Sequence, residues 1–280
     1  MTTGIRALLR RAVYEANGRR PWSPGYLEAR DRELGPALRD VAAGERFEPR
    51  PGYGRSMDER VVELPWFLEK LPRGTLRLLD AGSTLNHDLI LRHLPLDRMR
   101  LFISTLAPEE HCYWKRGVSY TFEDLRDLSF KDGFFDCVAS ISTLEHVGMD
   151  NSLYVADARF RESARKDHLN VMAQFRRVLR PGGTLLVTVP YGREADHGWF
   201  QQFGRRMLDE LVGSFGPATA DVRFFRYRPE GWKAASREEC DDASYFDIHQ
   251  GGPLEADRAA AARAVACLCL VSENPGKLPP

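Results

Sequence analysis

The sequence predicts an α/β fold with a doubly wound, mostly parallel sheet. Two observations predict it. Short apolar runs at 76–80, 100–105, 134–142 and 184–190 alternate with segments of helical apolar spacing. Such alternation implies parallel crossover units and a sheet covered on both faces. In addition, a breaker, Arg180-Pro181-Gly182-Gly183, separates one such helix from the strand after it.

Taken in order, residues 1–57 read as an N-terminal helical and lid extension, and residues 58–280 as the main domain. A short helix is expected near Gly4–Ala16, followed by Pro- and Gly-punctuated sequence. Arginine interrupts the first twenty residues every few positions, so they contain no apolar block of the kind a signal peptide needs. This helix could lie on a membrane, but packing on the main domain is the preferred reading. A further helix starts at Asp58, a capping residue by type, and Pro65 should kink it or end its first part. LRLLD (76–80) is a strand, HDLILRHL (87–94) a helix, RLFIST (100–105) and FFDCVASIS (134–142) strands. Leu169, Met172, Phe175 and Leu179 recur at helical spacing within 164–179. TLLVTVP (184–190) is a strand, 204–216 a helix, and VRFFRYR and AVACLCLV the last two strands. Sheets of this kind bind ligands beyond the carboxyl ends of their strands.

Composition narrows the function classes. Forty basic side chains balance forty acidic ones, which argues against nucleic acid as the main partner. No apolar run approaches the roughly 20 residues of a bilayer span, so no stable membrane insertion is expected. Five cysteines without a C-x-x-C pair fit neither a disulfide framework nor a metal site, and a cytoplasmic setting follows. Cys137 and Cys269 sit in strand-like runs as small hydrophobes.

At LRLLDAGSTLN an apolar run ends in Asp80 and then Gly82, at a strand-to-helix turn where glycine lets a backbone approach a ligand. This segment resembles the first motif of class I S-adenosylmethionine-dependent methyltransferases, with Thr84 and Asn86 standing where two further glycines are usual. FEDLRDLSFKDGFFDCVAS, SISTLEHVG, LRPGGTLLVTVP and DHGWFQQFGRRMLDELV follow in that family's order and spacing. The resemblance spans about residues 70–271. It implies a Rossmann-like, seven-stranded, mostly parallel sheet and S-adenosyl-L-methionine as cofactor. By the match, Asp80, Gly82 and Ser83 contact the methionine end and the turn backbone, Ser142 lies beside the methionine portion, and Asn86 is a further cofactor-binding residue. Thr105 and Leu106 fall at the ribose. Asp124 and Leu125 face the adenine, with Asp127 competing for the role of Asp124. The second strand of the family usually ends in an acid that accepts from both ribose hydroxyls. Here Thr105 stands there, so Glu109 or Glu110 reaches back, the ribose is held differently, or the cofactor is bound weakly.

The resemblance implies a transferase acting on a small-molecule acceptor, most simply a hydroxyl on a glycan or natural-product intermediate, with homo-oligomers open. A second reading keeps the fold but binds a ligand without catalysis, or converts the cofactor by another reaction. A dehydrogenase fits poorly, because G-x-G-x-x-G is absent. Methyl transfer needs a positioned nucleophile and often a base near neutral pKa. His146, after Glu145 at the end of the fourth strand, and His197, after the fifth, are the candidate bases. Glu145, Tyr191 and Trp199 are placed on the substrate side. Tyr53, Arg55 and Trp66 form the expected lid.

Overall fold

The apolar runs do form one sheet, and its connectivity places a crevice at their carboxyl ends. The computed structural model describes residues 2–74, 76–155, 157–250 and 253–273. The chain begins with helices α1 (Thr2–Ala16), α2 (Tyr26–Ala42) and α3 (Arg60–Lys70). Then follow β1 (Leu76–Ala81), α4 (Asp88–Leu91), β2 (Met99–Thr105), β3 (Ser119–Phe122) and β4 (Phe135–Ile141). After α5 (Ser152–Val155) come α6 (His168–Val178), β5 (Leu179–Pro190), the two-residue strands β6 (Ala195–Asp196) and β7 (Gln201–Gln202), and α7 (Arg205–Phe215). The chain closes with β8 (Thr219–Arg228), β9 (Gly231–Ala235), α8 (Arg237–Cys240) and β10 (Ala264–Val271).

The main sheet has eight strands in the order β3-β2-β1-β4-β5-β10-β8-β9, against the seven expected. The eighth is β9, which folds back on β8 through Pro229-Glu230 and pairs Arg228 with Gly231. The five strands β1 to β5 are parallel, whereas β10, β8 and β9 join antiparallel. Strand order reverses between β1 and β4, the position at which doubly wound sheets open a ligand crevice.

Burial on both faces follows the two-residue period of a strand. Leu78, Cys137 and Cys267 face a cluster with Leu34 and Leu38 of α2 and Val61, Trp66 and Phe67 of α3. Their neighbours Leu79, Val138 and Leu268 face the opposite cluster, with Met172 and Phe175 of α6 and Leu208 and Leu211 of α7.

Four local features depart from expectation. Helix α2 lies in sequence read as irregular, because charged residues and Gly35-Pro36 mask its buried Leu34, Leu38 and Val41. Helix α4 is four residues long, with the His87 ring accepting from the Leu89 N–H at its start. The Arg180–Gly183 breaker does not precede β5 but lies within it. The ladder passes from Phe135–Leu179 to Cys137–Thr184, so the breaker bulges from a continuous strand. Pro65 sits inside α3 without ending it. Proline withdraws the N–H that would have bonded the Val61 carbonyl, and the Tyr53 hydroxyl donates to that carbonyl at 2.7 Å instead.

Candidate functional site

A cavity of about 440 Å³ opens at the carboxyl ends of β1, β2 and β4. Gly82 and Thr84, in the turn after β1, line it; Asp80 near the end of β1 and Ser83 adjoin them without lining it. Asp80 is fully buried; its Oδ2 accepts from the Leu85 N–H at 2.8 Å, while Oδ1 has no protein partner. Burial pushes this carboxyl up to about 7. Gly82 follows with φ of 119°, its N–H bonded to the Ser104 carbonyl. A Cβ there would stand 2.1 Å from Thr143 Oγ1, so the turn after β1 and the turn after β4 meet at a point only glycine can occupy. The neighbouring Ser83, at φ of 65°, holds a buried hydroxyl without a partner. Asn86 lies off the cavity wall, donating to the His111 carbonyl and accepting from the Tyr120 hydroxyl.

The wall beyond β2 contains Thr105, Leu106, Glu109 and Glu110, so both acids named as substitutes for the ribose carboxylate are on the same wall as Thr105. Asp124 and Leu125 continue it, whereas Asp127 is exposed and outside it. Arg126 engages Asp124 through Nε and Nη2, at 3.0 and 2.6 Å, and extends to Glu162 at 2.8 Å and Asp167 at 2.6 Å. Burial would raise the Asp124 carboxyl, but its hydrogen bonds from Arg126 prevail and hold it below the ordinary range.

Beyond β4, Ser142 adopts φ of 41° and bonds through its N–H to Thr188. Its hydroxyl donates at 2.5 Å to Glu63 of α3. Glu63, fully buried, also accepts from the Thr188 hydroxyl at 2.6 Å and from Arg60. One carboxylate thus bolts α3 onto the ends of β4 and β5 and aims Arg60 along the cavity wall. Arg60 also borders an adjoining space of about 220 Å³ that contains Ser83 and His87.

His146 lines the cavity from the one-turn helix Leu144–His146. Its Nδ1 lies 3.0 Å from the Trp199 carbonyl, which can only accept, so the proton resides on Nδ1 and Nε2 keeps its lone pair. Burial lowers the imidazole to about 4. Trp199 and Tyr154 flank the ring at centroid distances of 5.2 and 5.4 Å. Glu145 is buried behind it, with Oε1 4.0 Å from His146 Nε2 and Oε2 unpartnered, and burial raises its carboxyl well above the usual range. Asn151, also on the wall, donates both amide contacts to the carbonyls of His146 and Met149, which orients Oδ1 as a free acceptor.

Besides Asn86, five further expected site residues are elsewhere, while Glu145 and Trp199 adjoin His146 without lining the cavity. Tyr53 and Trp66 are core residues: the first serves the Val61 carbonyl and the second is fully buried against the sheet. Arg55 is exposed and off the cavity. Tyr191 is buried, its hydroxyl donating to Asp241 at 2.5 Å and accepting from Arg237. His197 stacks on Phe200 at 4.4 Å, with Nδ1 3.9 Å from Asp247, and does not line the cavity. The segment expected as a lid therefore acts through Arg60 and Glu63 rather than through its aromatics. Arg60, expected from its side-chain type to suit an acidic or hydroxylated substrate, does line the cavity, whereas Glu63, Arg126, Thr143 and Asn151 were not anticipated. Of these, only Glu63 left a sequence signal, as an acid inside the apolar run VVELPWF. Among the described residues no group of three or more His, Cys, Asp or Glu is arranged to hold a metal ion, and no helix is long and apolar enough to cross a membrane.

Residues 96–187 match the family model described as a methyltransferase domain. The crystal structure of the (4+2)-cyclase SpnF is 19% identical, with 91% of this chain and 97% of that chain covered and a TM-score of 0.51. A Burkholderia thailandensis 1,6-didemethyltoxoflavin-N1-methyltransferase, solved with 1,6-didemethyltoxoflavin and S-adenosylhomocysteine, is 14% identical, with 98% and 91% covered and a TM-score of 0.44. No curated protein matches the chain by sequence. With strand order, strand-end cavity and family match in agreement, the chain has the fold of class I S-adenosylmethionine-dependent methyltransferases, and its residues 96–187 match the methyltransferase domain family.

Proposed function

We propose that the protein is an S-adenosylmethionine-dependent methyltransferase whose acceptor is a small molecule bearing an O–H or N–H group, a hydroxyl in the simplest case. The fit of the cofactor rests on the turn after β1. Two buried polar atoms there, Asp80 Oδ1 and Ser83 Oγ, lack protein partners, and Gly82 keeps the backbone bare. Asp80, Gly82 and Ser83 would hold the amino-acid end, with Ser142 beside it. Thr105 and Leu106, with Glu109 or Glu110, would hold the ribose, and Asp124 and Leu125 the adenine. Bound there, S-adenosylmethionine supplies an electrophilic methyl group on a sulfonium.

The acceptor assignment rests on one observation: the lone pairs of His146 and Asn151. Trp199 fixes the His146 proton on Nδ1, and two carbonyls consume the Asn151 amide donors. What both residues offer the cavity is therefore acceptor capacity, which selects a ligand with a donor hydrogen. His146 Nε2 orients that hydrogen and takes the proton as attack develops. Tyr154 and Trp199 pack beside the ring.

The test is calorimetric titration with S-adenosylhomocysteine, followed by screening of hydroxyl and amine acceptors with mass detection. Binding in the micromolar range and methylated product with S-adenosylhomocysteine support the proposal. Absence of binding refutes the cofactor assignment. Methylthioadenosine as product would show that the cofactor is consumed by a different reaction.

A further inference from the structure

Among its described side chains, helix α1 is anchored by one side only. Tyr14 is buried in edge contact with Tyr26 at 6.3 Å. Gly25, at φ of 90°, lies so near the Arg10 carbonyl that a Cβ would stand 2.3 Å from it. The Arg10–Tyr14 side is therefore pressed against the start of α2. With 3.6 residues per turn, Leu8, Leu9 and Val13 fall on the other sides of the helix. Their exposures are 65, 61 and 44%. Trp22 donates its indole N–H to the Ala260 carbonyl at 2.6 Å yet leaves 42% of the residue open, and Leu27 at the start of α2 is 52% exposed. Five of the ten exposed large apolar side chains among the described residues thus lie between positions 8 and 27.

The same stretch is basic. Residues 1–25 contain Arg6, Arg10, Arg11, Arg19 and Arg20 against Glu15 alone, in a chain of zero formal net charge. Arg10 pairs with Glu28 and Arg19 with Glu15, but the local surplus remains positive. An apolar stripe on a basic helix complements an anionic lipid surface, where the side chains enter the acyl boundary and the arginines meet headgroups. A tryptophan with one pinned polar edge suits the same interface. A second copy of the chain would bring the same positive charge against itself, which disfavours pairing through this face.

We propose that α1, with Trp22 and Leu27, docks the protein on an anionic membrane surface. The docking face is independent of the cavity, so its test does not involve catalysis. The full chain is sedimented with vesicles of phosphatidylcholine alone and of an equal mixture with phosphatidylglycerol. Binding is expected on the mixed vesicles and weakly on the neutral ones. The Leu8→Glu/Leu9→Glu variant should partition about tenfold less or lower, since both the apolar and the electrostatic contributions fall. Its thermal midpoint should match the parent, because both side chains are exposed. The Arg19→Gln/Arg20→Gln variant should lose the preference for the anionic vesicles. Parent protein remaining in the supernatant with mixed vesicles overturns the proposal, as does unchanged partitioning of the leucine variant. A parent dimer in lipid-free solution that this variant converts to monomer overturns it in favour of a self-interface.

Discussion

Replacing Glu63 with alanine removes the acceptor from three donors at once: the hydroxyls of Ser142 and Thr188 and the guanidinium of Arg60. The hydroxyls can rotate toward other acceptors, but Arg60 cannot shed its charge. Removing one partner of a buried ion pair costs about 3–5 kcal/mol, mostly through the charge left behind. Arg60 keeps 25% of its side chain open, so water relieves part of that penalty and a loss of about 3 kcal/mol is expected. Urea unfolding measures it directly, as a lower midpoint at unchanged slope. Glu63→Gln should fall between parent and alanine, since the amide still accepts but the ion pair is gone. Adding Arg60→Met to Glu63→Ala removes the stranded charge, so the double variant should be more stable than Glu63→Ala alone. A Glu63→Ala loss within about 0.5 kcal/mol of zero would refute the reasoning, and so would strict additivity in the cycle.

Tyr53→Phe should cost about 1–2 kcal/mol by stranding the Val61 carbonyl and leave S-adenosylhomocysteine affinity unchanged; a selective loss of affinity in calorimetry would return Tyr53 to the lid. His146→Ala should lower turnover at least about tenfold with cofactor affinity retained, whereas His197→Ala should leave turnover near parent; the reverse pattern in steady-state assays would move the base to the loop after β5. Burial raises the folded Asp80 carboxyl to about 7, so its contribution to stability is fully present below the unfolded pKa of about 4 and is lost as pH rises through the folded value. Asp80→Asn should therefore flatten the decline in unfolding midpoint between those limits, and a parallel pH profile in parent and variant would contradict the burial argument.

Strands β1, β2 and β4 were legible because fully buried parallel strands read as unbroken apolar runs. The family resemblance singled out Gly82, Thr105, Leu106, Asp124, Leu125 and Ser142, the end of the fourth strand pointed to His146, and the structure brings them to one cavity. Side chains whose partners are distant in sequence were not legible. Glu63 stands out only as an acid within VVELPWF, and its donors Ser142 and Thr188 are 79 and 125 residues away. Tyr53 reads as a lid aromatic because nothing in its neighbourhood announces that Pro65 leaves a carbonyl without its partner. Tyr191 and His197 follow β5 as expected, but their side chains turn toward Asp241 and Phe200. Helix α2 was obscured for the opposite reason: its charges are local and visible, and its buried Leu34, Leu38 and Val41 are sparse.

The place of β10 has a consequence for how the chain reaches this fold. This strand, the last among the described residues, lies between β5 and β8, pairing with Thr184–Pro190 on one side and Thr219–Arg226 on the other. Until it arrives, both neighbours present open edges, the kind of surface through which nascent chains aggregate. The wait extends to the other terminus. Leu34, Val61 and Trp66 share a cluster with Val265 and Cys267, so α2 and α3 complete their packing only against a strand made about two hundred residues after them. Contacts that span most of the chain impose a high loop-closure cost and slow folding. Loss of β10 would split the sheet into a five-stranded and a two-stranded part and remove the surface on which those helices complete their packing.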